Sequence, residues 1–122
     1  MLERLQELVN GNEGLVRRGR FVDARVLIGL GDDHVRLSFR AGRIEAVEPG
    51  PFPMADYDFA LRAPVEEWRL FWQPVPPPGS NDLIAMRKRR VLAIEGNLQP
   101  LMANLRYFKE VMASLRGAGE AA

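Results

Sequence analysis

A chain of 122 residues with 17 Lys plus Arg against 16 Asp plus Glu carries a formal charge of +1, so it offers no global field of the kind that draws a protein to nucleic acid. That length fits one domain spanning 1–122, since a domain of this size buries roughly two thirds of its unfolded surface around a single core. The sequence has no cysteine, which excludes disulfide frameworks, thiolate catalysis and cysteine-based zinc or iron–sulfur sites.

No apolar run approaches the ~20 residues that a membrane span needs. The start Met1-Leu2-Glu3-Arg4 lacks the basic-then-apolar order of a secretory signal, and the expectation is a soluble cytoplasmic protein. Residues 1–19 form an N-terminal helical segment. Leu2, Leu5, Leu8 and Val9 have helical spacing, Asn10-Gly11-Asn12 stops them, and Asn12 can cap a further turn or two through Arg18. Gly19 then releases the chain into strands.

From Phe21 to Leu30, the residues Val22, Ala24, Val26, Ile28 and Leu30 alternate with Asp23, Arg25 and Gly29, which predicts a strand with one apolar face. Gly31-Asp32-Asp33 makes a turn, and His34 to Arg40 alternates without error, with Val35, Leu37 and Phe39 on the buried side. Ala41-Gly42 turns the chain back into a weaker strand, Arg43 to Glu48, suited to an edge. Pro49-Gly50-Pro51-Phe52-Pro53 cannot continue a ladder, so the chain must leave that edge and cross before Asp56 to Arg62 resumes alternation.

Pro64 suits the first position of a helix carrying Glu66 and Glu67 in its first turn and then Trp68, Phe71 and Trp72. Pro74 ends it. Residues 75–80 are a proline-rich loop, and Asn81 or Asp82 opens a short helix with Leu83, Ile84 and Met86. Arg90 to Asn97 reads as a last strand and a tight turn at Gly96, followed by one long closing helix from Leu98 to Arg116. Its stripe is Leu98, Leu101, Met102, Leu105, Phe108, Met112 and Leu115. Residues 117–122 form a Gly/Ala-rich tail expected to be disordered.

The strand pattern, the segment Ala55-Asp56-Tyr57-Asp58-Phe59-Ala60-Leu61 before a helix, and Val91-Leu92-Ala93-Ile94-Glu95-Gly96-Asn97 before the closing helix resemble the sterol carrier protein type 2 family, the non-specific lipid-transfer or sterol-binding domain. The resemblance covers roughly Phe21 to Leu115. It implies an α+β two-layer fold, with a mostly antiparallel five-stranded sheet in the order 3-2-1-4-5, helices on one face and an apolar tunnel between the layers. One-sided strands independently require a covering helical layer. The loop at Phe71 to Gly79 departs from the family pattern.

Residues that could do chemistry are few. His34 is the only histidine, and the plain reading is an exposed turn residue rather than a general base. Asp56 and Asp58 share a polar strand face, which reads as two solvated carboxylates rather than a metal or acid–base pair. The run Arg87-Lys88-Arg89-Arg90 is the solubilising end of a helix whose functional version is transient contact with an anionic membrane surface.

The expectation is therefore a non-catalytic carrier with no metal or cofactor, holding a fatty acid, acyl thioester, isoprenoid or sterol-like lipid. Its ligand-lining candidates are Trp68, Phe71, Trp72, Leu83, Met86, Met102, Leu105, Phe108 and Met112, large or adaptable apolar groups that would equally suit a filled core. The alternative is a protein–protein interaction or accessory module of a lipid-modifying system with such a filled core, including a homodimer.

Overall fold

The computed structural model describes residues 2–51 and 56–116. In chain order the elements are α1 (Leu2–Asn10), α2 (Glu13–Arg18), β1 (Asp23–Leu30), β2 (Asp33–Arg40), β3 (Arg43–Pro49) and β4 (Phe59–Ala63). Then come α3 (Val65–Phe71), α4 (Leu83–Lys88), β5 (Ala93–Gly96), α5 (Gln99–Ala103) and α6 (Leu105–Ala113). One five-stranded sheet has the order β3-β2-β1-β4-β5, as expected, with β1 and β4 parallel and the other neighbours antiparallel.

The register explains why alternation alone placed the strands. Val26 stands opposite Leu37 and Ile28 opposite Val35, while on the other side Val26 faces Phe59 and Ile28 faces Leu61. A slip of one residue would turn the whole apolar set to solvent. β1 departs from strict alternation because Leu27 and Gly29 are also buried. It is the central strand: Leu27 is flanked by Arg36 and Ala60, and a Cβ on Gly29 would lie 3.0 Å from Arg62 Cγ. Arginine stems thus cover the middle of the outer face while their charged ends reach water.

The inner face meets helices. Leu5 and Val9 of α1 join Ile28, Leu37, Ile44, Phe59 and Leu61 of the sheet, with Trp68, Phe71, Met86, Phe108, Val111 and Met112 closing the layer. The β2–β3 hairpin tip is fastened beneath the helices, where the Tyr107 hydroxyl donates to Gly42 O at 2.7 Å. Gly42 has φ +80°, and a Cβ there would lie 2.4 Å from Val16 O, so no other residue fits.

Expectations about several elements need correction. The closing segment is two helices, not one: Asn104 has φ −130° and ψ 35°, and its Nδ2 donates to Pro100 O at 3.0 Å. A side-chain amide bonded to the preceding turn competes with the helical ladder, and Asn104 O then receives the Phe108 N–H that starts α6. The fourth strand begins at Phe59 rather than Asp56, because Asp58 turns to the neighbouring strand, its N–H bonding Arg25 O and its Oδ2 accepting from Arg25 N, both at 2.8 Å. Pro64 is the cap before α3 instead of its first residue. The third strand runs on through Pro49, which pairs with Val35, and the last strand is Ala93–Gly96 rather than beginning at Arg90, with Gly96 paired to Phe59. Asn12 and Asp82 cap α2 and α4 as expected, accepting from Leu15 N and Ala85 N. The Gly/Ala-rich tail, Ala55 and part of the proline crossing lie outside the described residues.

Candidate ligand site

α3 presents its aromatics to the interlayer because Trp68 and Trp72 are one helical turn apart. Their rings stack at 5.2 Å with an interplanar angle of 19°, and Phe71 meets Trp68 edge-on at 5.8 Å. Each indole N–H is satisfied across a layer: Trp68 Nε1 donates to Gly29 O in β1 at 2.9 Å, and Trp72 Nε1 to Met112 O in α6 at 2.8 Å. From the other side, Arg116 Nε donates to Phe71 O at 3.0 Å, and its guanidinium lies 4.8 Å from the Phe71 ring centre. Burial lowers the Arg116 pKa.

Seven of the nine lining candidates meet in this core: Trp68, Phe71, Trp72, Leu83, Met86, Phe108 and Met112 are buried. Leu105 packs at its margin. Met102 does not join them, being 46 % exposed because the break at Asn104 resets the helical phase. Phe108 sits edge-on to Phe39 at 5.4 Å and to Phe59 at 5.2 Å, and Tyr107 to Phe108 at 5.2 Å. These rings occupy the space between the layers themselves. Burial raises the pKa of the Tyr107 phenol.

A cavity lies elsewhere, at the end of the sheet where β1 turns into β2. A groove of about 620 Å³ is lined by Leu2, Leu30, Val35, Pro49, Gly50, Pro51 and Val65. Leu2 belongs to the core, and Leu30 and Val35 pack against it, so the groove adjoins the interlayer. The rim carries Glu3, Asp32, Asp33 and His34. None of these was a lining candidate, because the walls come from α1, the β1–β2 hairpin, the end of β3 and the start of α3, segments distant in sequence.

The outer face of the sheet is a lattice of opposite charges. Arg36 pairs with Glu48 and Asp56 at 3.2 Å, Arg25 with Asp56 at 2.7 Å, and Arg62 with Glu95. Arg62 Nη1 lies 2.8 Å from His34 Nε2, a contact in which guanidinium must donate and imidazole accept. His34 is thus a half-buried strand residue, not an exposed turn. Burial acts to lower the Arg62 pKa, but hydrogen bonds to Tyr57 and Glu95 prevail and raise it.

In the basic run, Arg89 is structural: it donates to Gly79 O and Ser80 Oγ at 3.0 Å and pairs with Glu67 at 3.5 Å, tying down the proline loop. Arg87, Lys88 and Arg90 are exposed and have no ion pair among the described residues. No described group of three His, Asp or Glu side chains is arranged to hold a metal ion, and no described helix is long and apolar enough to cross a membrane.

Among solved structures, a crystal structure of sterol carrier protein 2 superposes with a TM-score of 0.76, covering 93 % of this chain and 92 % of its own at 14 % identity. The chain has the sterol carrier protein 2 fold. The same fold appears in UbiJ-SCP2, a ubiquinone synthesis protein, at TM-score 0.59 and 12 % identity over 90 % of this chain and 87 % of that one. Palmitated SCP2L2 from Aedes aegypti matches at TM-score 0.54 and 16 % identity over 91 % and 89 %. No protein-family model matches the sequence, and no curated protein does. What this chain shares with sterol carrier protein 2 is therefore architecture, with few residues in common.

Proposed function

We propose that this chain is a non-catalytic binding or carrier protein for a hydrophobic small molecule. The observation that carries the reading is an all-apolar interlayer that adjoins, at one end, an apolar groove of about 620 Å³, within the ~300–1,000 Å³ typical of small-molecule sites. Each methylene moved from water into such a site contributes ~0.8 kcal/mol, so an alkyl or isoprenoid chain needs no polar anchor to bind. Met86 and Met112 are the residues that would yield to admit a longer chain toward the tunnel position, since thioethers change shape at little cost. The names of the structural neighbours point the same way, one being a sterol carrier and another palmitated.

Catalysis is disfavoured because the candidate acid–base groups are engaged. His34 accepts from Arg62, Asp56 pairs with Arg25 and Arg36, and Asp58 accepts the Arg25 N–H. The protein would work in the cytoplasm and touch anionic membrane surfaces through Arg87, Lys88 and Arg90. A second reading, an accessory module of a lipid-modifying system, is favoured by the likeness to a ubiquinone synthesis protein.

The test is to purify the protein without detergent, extract it with organic solvent and identify what co-purifies by mass spectrometry, with native mass spectrometry for stoichiometry. One lipid class near one molecule per chain supports the carrier. An empty extract, with no apolar probe bound on titration, defeats it.

A further inference from the structure

The rim of the groove restricts the kind of ligand it can take. Its apolar walls end at the β1–β2 hairpin, where Asp32 and Asp33 are exposed and line the opening. Neither carboxylate has an ion pair or hydrogen bond to its side chain among the described residues. Glu3 adds a third carboxylate, although it has partners of its own.

The basic side of the balance is weak. The one basic residue lining the groove is His34, and its Nε2 already accepts from Arg62. Arg62 in turn is paired with Glu95 on the outer face of the sheet. An amphiphile that seats its chain between Leu30 and Val65 leaves its polar end beside two uncompensated negative groups. A like charge held beside them is repelled and an opposite charge attracted, the more strongly the less salt screens them.

From this we propose that the groove takes a long-chain amphiphile whose exposed end is an amine or a hydroxyl, a head group that donates hydrogen bonds and carries no negative charge. The inference rests on the carrier reading and narrows its ligand class. Free fatty acids, whose carboxylates would face Asp32 and Asp33, are the ligands it disfavours.

Three probes with the same chain test it: dodecylamine, dodecanol and dodecanoate, titrated below their aggregation limits at low salt and followed by calorimetry. The expected order is amine, then alcohol, then carboxylate, with the first at least about tenfold tighter than the last, which corresponds to about 1.4 kcal/mol. In the double variant Asp32→Asn, Asp33→Asn the ratio of amine to carboxylate affinity should fall towards one. In the unaltered protein, added salt should narrow the same ratio, a readout that does not depend on the variant folding. Equal affinity for all three, or preference for dodecanoate, overturns the head-group inference and leaves the carrier standing. An amine preference that survives both salt and the double variant also overturns it. Failure of all three to bind overturns both.

Discussion

Two regions of one interlayer have opposite characters. Around α3 and α6, Trp68, Phe71, Trp72 and Phe108 fill the space between sheet and helices with rings whose centres lie 5.2–6.3 Å from their neighbours. Beside them, at the start of α3, Leu30, Val35 and Val65, with Pro49 and Pro51, leave a groove of about 620 Å³. Hydropathy is similar in the two places, but shape is not. Aromatics bury much area and interlock, whereas short aliphatics and prolines on separate segments cannot reach one another. Openness here follows from side-chain size and backbone stiffness, not from polarity.

The contrast can be broken most severely at Trp68. Trp68→Ala removes a fully buried ring and the hydrogen bond to Gly29 O. It should cost about 3–5 kcal/mol, lowering the melting temperature by roughly 10–20 °C in a thermal scan. A far smaller loss would mean that the ring region has slack like the groove.

Tyr107→Phe should cost about 1–3 kcal/mol in denaturant titration, since Gly42 O loses its buried donor. Tyr107 also ties stability to pH. Burial raises its folded pKa, so its contribution is fully present below the ordinary phenol value of ~10 and is lost as pH rises beyond that. Stability of the unaltered protein should fall above about pH 10 and that of Tyr107→Phe should fall less steeply, a difference that alkaline unfolding curves would reveal.

Arg87→Gln lies away from both regions and serves as their control. It should weaken binding to anionic vesicles by about 1 kcal/mol, roughly fivefold in a co-sedimentation assay, without moving the melting temperature. The gentlest change sharpens the contrast directly. Val65→Trp places a large ring in the groove wall from a position already 38 % exposed. Stability should stay within ~0.5 kcal/mol while calorimetric binding of dodecanol disappears.

Strands were legible because their burial is one-sided: Val35, Leu37 and Phe39 could be read without knowing what covered them. Strand order is non-local, and came from likeness to a known fold rather than from periodicity. The break at Asn104 escaped because the apolar stripe continues across it, and only the bond from its amide to Pro100 O marks the end of α5. Met102, one residue beyond Leu101 on that stripe, was misplaced for the same reason. The groove was invisible because no stretch of sequence contains more than one of its walls. His34 looked like a turn residue until the parallel pairing of β4 with β1 brought Arg62 beside it. The buried aromatics of α3 could be recognised as apolar, but not as already in contact with one another.

The stacked indoles have an optical consequence. One is fastened to the central strand and the other to the last helix, yet both project from the same two turns of α3. Two chromophores held 5.2 Å apart in this way form an internal gauge of layer separation, readable by near-ultraviolet circular dichroism without any label. A guest that wedges the layers apart must change the angle between them, while one confined to the groove leaves the signal untouched.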